Sequence, residues 1–413
     1  MPSSMARLLL LLPTTTYRTQ AFVDAASKLG VDLVCASERP STLEERAPDN
    51  LITVDFADPD GAVETVARFA RRRPIDAVVA VDDLTTVVAA AIATRLGLRQ
   101  NPVAAASAAR NKHEMRRRLE AAGVAAPRFR QVALSEDPAS VARLVEYPCV
   151  LKPLALSASR GVIRADDPDG FVAAFRRIAA LLARDDVGLH GEVREALLVE
   201  AFIPGREFAL EGLLMAGGLQ TLALFDKPDP LDGPFFEETI YVTPSRLPAE
   251  TQTRIAEATL RACAALGLTE GPVHAELRVN DAGPWVIEVA ARSIGGLCSR
   301  TLRFGTGMTL EELILRHALG WKIDSFDREQ RAAGVMMIPI PRAGRLVAVR
   351  GKDAAEAVPG VEEIAITAHL GQELVPLPEG WQYLGFIFAR SDAPEEVEQA
   401  LRRAHARLAF DIA

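Results

Sequence analysis

The sequence predicts a multidomain chain, α/β at its N-terminal end and α+β thereafter. Three observations carry that reading. Residues 1–110 alternate short apolar strands with helices, the rhythm of a parallel sheet with right-handed crossovers. Residues 274–296, HAELRVNDAGPWVIEVAARSIGG, read as an antiparallel hairpin running into a glycine-rich turn. From Gly334 the texture changes to short strands and one closing helix, the mark of a small α+β domain.

Length and composition narrow the function classes. The 413 residues allow two or three domains with substantial cores. A charged fraction of 25% and a hydrophobic fraction of 49% belong to a soluble globular protein. A net charge of −8 argues against a nucleic-acid or anionic-membrane partner. Cys35, Cys149, Cys263 and Cys298 lack CxxC spacing, so zinc and thioredoxin-type chemistry are unsupported. Reduced thiols in a cytoplasmic setting are the expectation. The run Leu8–Leu12 is too short for a signal peptide or a membrane span and reads as a buried first strand. A homodimer is the default expectation for the assembly.

The first 110 residues read as a Rossmann-like parallel α/β domain. Its strands are Arg7–Leu12, Asp32–Ala36, Leu51–Val54 and Ala77–Val81, with helices Thr19–Leu29, Asp60–Arg71 and Asp83–Leu96. No GxGxxG fingerprint follows a strand, so a dinucleotide has little support. Asp82-Asp83 ends a strand and opens a helix, where a helix cap is the first reading and a ligand contact the second.

Past Asn101-Pro102, one helix is expected over Ala104–Ala122, carrying Lys112 and the basic run Arg116-Arg117-Arg118 as a solvated face. Tyr147–Leu154, YPCVLKPL, is a strand with Lys152 inside an apolar run, where an ammonium needs an anion. Ser157-Ala158-Ser159-Arg160-Gly161 is small and flexible enough to lay backbone N–H groups over phosphates, although ordinary turns look the same. It is not a Walker A loop. Phe171–Ala183 is an amphipathic helix. Leu197–Ile203 is a strand holding Glu200, whose partner is a purine amino group or a salt bridge. A second strand, Glu207–Leu214, follows Pro204-Gly205. Lys227 opens a Pro- and Gly-rich loop that ends in Glu237-Glu238, the kind of long loop that often has a functional role. An Ala-rich amphipathic helix over 251–268 leads into the hairpin.

Taking Asn280–Pro284 as the hairpin loop pairs Val279 with Trp285 and sets Glu276 opposite Glu288. His274, Glu276, Arg278 and Glu288 then share one face, and Val273, Ala275, Leu277, Trp285, Ile287 and Val289 share an apolar one. Two facing carboxylates repel. Magnesium, or salt bridges to Arg278 and Arg292, would offset that cost. Cys298 reads as a small buried hydrophobe. Helix Thr309–Leu319 follows. The tail carries strands Val335–Ile340, Leu346–Val349, Glu363–Ile366 and Tyr383–Phe388, then helix Pro394–Leu408.

In this order VLKP, SASRG, LLVEAFIPGREF, DKP…FFEET, HAEL and VIEVAARSIGG resemble the ATP-grasp carboxylate–amine ligases, from about Lys112 to Leu319. GVMMIPIPRAGRL is similar to the final domain of the L-amino acid (dipeptide) ligases. The resemblance implies a pre-ATP-grasp domain at 1–110, an ATP-grasp core of two α+β subdomains (a lid at 111–199, a metal-hairpin subdomain at 200–325) and a small C-terminal α+β domain at 326–413. It implies ATP with magnesium, or manganese in its place. Lys112 and Lys152 would hold the nucleotide phosphates, with Lys227 reaching them as well. Ser157, Ser159 and Gly161 would close over them. Glu200 and the backbone of Ala201 and Ile203 would take the adenine, Glu207 the ribose, and Glu276 and Glu288 the metal. Arg292 would bind the substrate carboxylate or acyl phosphate, with Gly295-Gly296 shaping the pocket beside it.

Many members of that family carry Asn two residues after the second metal glutamate, where this chain has Ala290. That departure puts a second metal in doubt, and His274 opposite Ala290 is expected to make a hydrogen bond there. The implied reaction activates a carboxylate as an acyl phosphate and couples it to an amine. Glu211 and His274 are the candidates for a general base. Two other readings stand beside this one: an ATP-grasp enzyme, carboxylases included, acting on a substrate other than an amino acid, and a catalytically silent ATP-binding protein.

Overall fold

The computed structural model describes residues 5–40 and 49–413. The N-terminal sheet is wholly parallel, in the spatial order Leu51–Thr53, Asp32–Ser37, Arg7–Leu11, Ala77–Ala80. Its strands Arg7–Leu11 and Ala77–Ala80 are buried nearly throughout because helices cover both faces. The chain leaves the central strand Arg7–Leu11 to one side, then returns on its other side. That makes a topological switch point, where open α/β sheets bind ligands at their strand ends.

A second, antiparallel sheet forms the lid, in the order Phe129–Ala133, Ala196–Ala201, Cys149–Pro153, Ile163–Ala165, backed by helix Pro168–Leu182. The main sheet has eight antiparallel strands: Gly283–Ala290, Gly271–Asn280, Arg206–Met215, Gly218–Asp226, Ile240–Thr243, Ala332–Ile338, Gly385–Ser391 and Val361–Ile366. The last three come from the final domain, which therefore extends the main sheet. Its own contribution is a three-stranded sheet of Glu373–Leu374, Gly344–Arg350 and Ala409–Ile412.

Strand Arg206–Met215 shows how the main sheet is covered. Phe208, Leu210 and Leu214 pack under helix Ala249–Leu266. Ala209 and Leu213 face the other core, which also holds Leu8, Leu10, Phe22 and helix Leu310–Ala318. Among the described residues no helix is long and apolar enough to cross a membrane.

Several expectations need correction. The single helix expected over Ala104–Ala122 is two, Val103–Arg110 and Lys112–Ala121. Asn111 leaves helical geometry, and its side chain accepts from the N–H groups of His113 and Glu114, capping the second helix. Both helices pack in the core beneath the main sheet, not in the lid. The structure adds strands Phe129–Ala133 and Gly218–Asp226, and strand Ile240–Thr243 within the Pro- and Gly-rich loop region.

The hairpin pairs Glu276 with Glu288 and His274 with Ala290, as expected, by a different route. Its turn is shorter, with Asn280 opposite Gly283 and Val279 opposite Pro284, and a bulge between Glu276 and Leu277 absorbs one extra residue. The bulge reverses the faces beyond it. Val286 takes the core position expected for Ile287, and Ile287 turns to the opposite side.

Candidate functional site

A chamber enclosing about 430 Å³ lies where the lid sheet, the polar face of the main sheet, the N-terminal domain and the final domain meet. Alternation along the central strands puts Glu207 and Glu211, with His274, Glu276 and Arg278, on the face away from helix Ala249–Leu266. The strand ends of the N-terminal sheet bring Thr15, Thr16, Asp82 and Asp83 to the opposite wall.

At the lid end, Glu200 is 3% exposed and both its oxygens are paired, with Arg116 Nε and Lys152 Nζ each at 2.7 Å. Burial pushes its carboxyl up, but the two cations override that and hold it down. Arg116 also donates to the Ile287 carbonyl and is 1% exposed, so it is not part of a solvated face. Arg117 and Arg118 do remain near the surface, paired with Glu114. Arg116 stands four residues after Lys112 on one helical face, a spacing that could have flagged it. Ala201, Phe202 and Ile203 line the wall beside Glu200.

Lys112 Nζ donates to the Leu156 carbonyl and to Glu288 Oε1, at 2.8 and 2.9 Å. Ser157 and Ser159 line the chamber. Ala158 and Ser159 both sit at φ +54°, a left-handed geometry that is strained for residues with a Cβ. Gly161, at φ +74°, could not carry a Cβ, which would lie 2.7 Å from Pro153 Cγ. Its N–H is bonded to the Pro378 carbonyl rather than aimed at the chamber.

Lys227 is buried and stands behind the chamber wall rather than on it. Its ammonium is held by Glu207 at 2.8 Å, Glu276 at 3.1 Å and Glu238. Burial opposes its charge, but these carboxylates raise it well above the ordinary lysine range. Glu207, Glu238 and Glu276 bring oxygens within 4.8 Å of one another, and Lys227 is the cation among them. Lysines, rather than the arginines offered as the alternative to magnesium, therefore pair with the hairpin carboxylates. Arg278 Nε lies 3.3 Å from Glu207 and its Nη1 donates to the Ile203 carbonyl. Arg292 grips Asp83 with Nε at 3.0 Å and Nη2 at 2.8 Å.

Glu276 and Glu288 offer oxygen donors on two paired strands, a set that fits a hard cation such as magnesium. Across from Ala290, His274 makes the expected hydrogen bond, through Nδ1 to Glu211 at 3.2 Å. Its Nε2 lies 3.7 Å from Glu276. Burial disfavours the imidazolium, but Glu211 and Glu276 override it and raise His274 to about 9. That direction favours the imidazolium, a hydrogen-bond donor between the two carboxylates. Glu211 is fully buried and off the chamber wall.

Glu238, which the sequence reading left without a role, does line the chamber. Burial is the main cause that lifts it to about 7, and it accepts from the Tyr241 hydroxyl at 2.7 Å. Asp82 and Asp83 stand at the start of a helix and also line the chamber. Asp82 makes no side-chain cap bond, and burial raises its carboxyl. Burial also pushes Asp83 up, but Arg292 overrides that and holds it down. Gly295 and Gly296 line the wall next to Arg292. Cys298 is buried, and burial pushes its thiol up to about 12, so it is inert as a nucleophile.

Comparison with known proteins adds family likenesses to this geometry. The ATP-grasp domain matches residues 145–301, L-amino acid ligase C-terminal domain 2 matches 336–413, and the ATP-grasp N-terminal domain matches 23–99. The structure of an L-amino acid ligase from Bacillus licheniformis superposes with a TM-score of 0.79 at 26% identity, covering 99% of each chain. Alanine–anticapsin ligase of Bacillus subtilis (strain 168) is 28% identical over 266 residues, 61% of this chain and 56% of that one. Dapdiamide A synthase of Enterobacter agglomerans is 27% identical over 241 residues, 57% of this chain and 55% of that one. The matches thus span little more than half the length of these two ligases.

Proposed function

The chain belongs to the ATP-grasp ligases, with a C-terminal domain of the L-amino acid ligase type, and we propose that it activates the carboxylate of an amino acid as an acyl phosphate and couples it to an amine. The observation that carries this is one chamber with a lysine-lined lid end, a carboxylate hairpin in its floor, and Arg292 beside two aspartates at its far wall.

In this reading Lys112 and Lys152 hold the phosphates, and Ser157, Ser159 and Gly161 belong to the loop that covers them. Glu200, Ala201 and Ile203 face the adenine edge and Glu207 the ribose. Glu276 and Glu288 would hold magnesium, which when bound supplies positive charge against the phosphates. Lys227 acts from behind, its ammonium holding Glu207, Glu238 and Glu276 in place. Arg292 holds the substrate carboxylate or the acyl phosphate, next to Gly295. An arginine and aspartates at one end suit a zwitterion, the neutral-pH form of an amino acid.

Two anions must meet, so fixed cations do most of the catalytic work. A carboxylate oxygen attacks the γ-phosphorus and ADP leaves. The amine nitrogen then attacks the acyl carbon, phosphate is expelled, and the amine proton is lost. In this reading Glu238 accepts that proton, since it lines the chamber and burial raises its carboxyl toward neutral pH.

The test is phosphate release from ATP and magnesium with the twenty amino acids, singly and in pairs, followed by mass spectrometry. Release that needs a pair and yields a dipeptide mass is the expected result. Phosphate release with no amide from any pair would overturn the amino-acid reading. Glu288→Ala should cut release at least about a hundredfold, the scale of losing one preorganised electrostatic contact to a transition state. Undiminished release would remove Glu288 from the metal site.

A further inference from the structure

The loop that covers the phosphates is gripped by the far end of the chain. Gly161 N–H donates to the Pro378 carbonyl and Arg160 Nε to the Glu379 carbonyl, each at 2.8 Å. Arg177, on the lid helix Pro168–Leu182, forks onto the Glu379 carboxylate, with Nη2 2.8 Å from Oε2. All these acceptors lie in residues 375–383 of the final domain. That segment is a tight turn: Gly380 N–H bonds the Pro376 carbonyl at 2.9 Å, and a Cβ on Gly380 would meet the Val375 carbonyl at 1.8 Å.

The turn is rooted in the main sheet by Leu384 N–H, which donates to the Ile338 carbonyl at 2.9 Å. Beside that root Tyr17 of the N-terminal domain meets the Tyr383 backbone and packs edge-on against Phe386, ring centres 5.6 Å apart. Trp381 and Tyr383, leading into these anchors, line the chamber. One short segment therefore touches the lid, the N-terminal domain and the cavity they enclose.

We propose that residues 375–383 seal the chamber: the phosphate loop closes against the final domain, Glu379 latches it, and Trp381 forms the wall that keeps water from the acyl phosphate. This rests on reading Ser157–Gly161 as the covering loop. Glu379 is a positioning residue, since it acts through Arg177 and the loop backbone. The seal matters because an acyl phosphate has two fates. Attack by the amine nitrogen on the acyl carbon forms the amide and expels phosphate. Attack by water on the same carbon returns the carboxylate and expels the same phosphate. Amide formed per phosphate released therefore measures the seal.

Two measurements on the full chain test it. Hydrogen exchange with ATP and magnesium, without an amine, should slow residues 157–163 and 375–383 together, and Glu379→Gln should weaken both effects. Protection of the loop with no change at 375–383 would overturn the proposal. With a productive amino-acid pair, Glu379→Gln should lower amide per phosphate roughly threefold, the scale of a partly exposed ion pair. Trp381→Ala should lower it further while ATP still binds. An unchanged ratio in both variants would also overturn the seal. Concerted protection without amide from any pair would support the seal and sink the ligase reading, so the two can fail separately.

Discussion

His274 shows how a single buried side chain sets a pH dependence. Its folded value of about 9 lies above the ordinary 6.5, because Glu211 and Glu276 outweigh the burial that opposes its charge. A raised value means that its stabilising protonation is complete below about pH 6.5 and is lost as pH rises through 9. The shift corresponds to on the order of 3 kcal/mol. His274→Gln should be less stable than wild type at pH 6 and should flatten the decline between pH 6.5 and 9. Denaturant melts of both proteins across that range measure it, and parallel curves would remove His274 as the cause. Arg116 belongs to the same scale. Reading the basic run as a solvated face followed its composition, but helical phase turns one of its three arginines inward, where it meets Glu200. The anion expected for Lys152 was identified as a need from one strand, and its partner Glu200 came from another.

Among the elements, the hairpin that carries Glu276 and Glu288 was legible because strand pairing follows alternation and turn chemistry. Its bulge was not legible. An extra residue in one strand leaves alternation intact on both sides and changes only the phase between them. The helix break at Asn111 does have a local signal, since Asn is a favoured N-cap even inside a helical stretch. Its cap sets where Lys112 begins the second helix, and Lys112 N–H is fixed to the Leu154 carbonyl. Asn111→Ala should cost about 1 kcal/mol, the usual worth of such a cap. The expected companion is weaker ATP binding, read by titration beside a thermal melt. Lost stability with untouched ATP affinity would separate the cap from the site.

At the scale of the whole molecule, the N-terminal domain is fused to the main sheet rather than tethered to it. One core runs from Leu8 and Phe22 through Leu313 and Ile314 to Phe225 and Val335. Arg18 Nη2 reaches Glu311 at 3.3 Å with both side chains almost fully buried. Glu311→Ala would leave Arg18 without its carboxylate partner in that core, at a cost of roughly 3 kcal/mol. Because the core is shared, unfolding should remain a single transition at a lower temperature. Calorimetry that resolved an early melt of residues 1–110 would show the domains to be independent.

What the sequence determined by itself was local and periodic. It marked the parallel N-terminal domain, the facing glutamates and the lysine in the lid strand, because side-chain period, turn residues and the cost of an unpaired buried charge act over a few neighbouring positions. What only the tertiary structure decided was pairing across long separations. Lysines rather than arginines neutralise the hairpin, Asp83 rather than a hairpin glutamate holds Arg292, Glu238 enters the chamber, and the final domain completes the main sheet. A charge announces that it needs a partner. Which partner it finds depends on how sheets and domains meet, and no local pattern carries that.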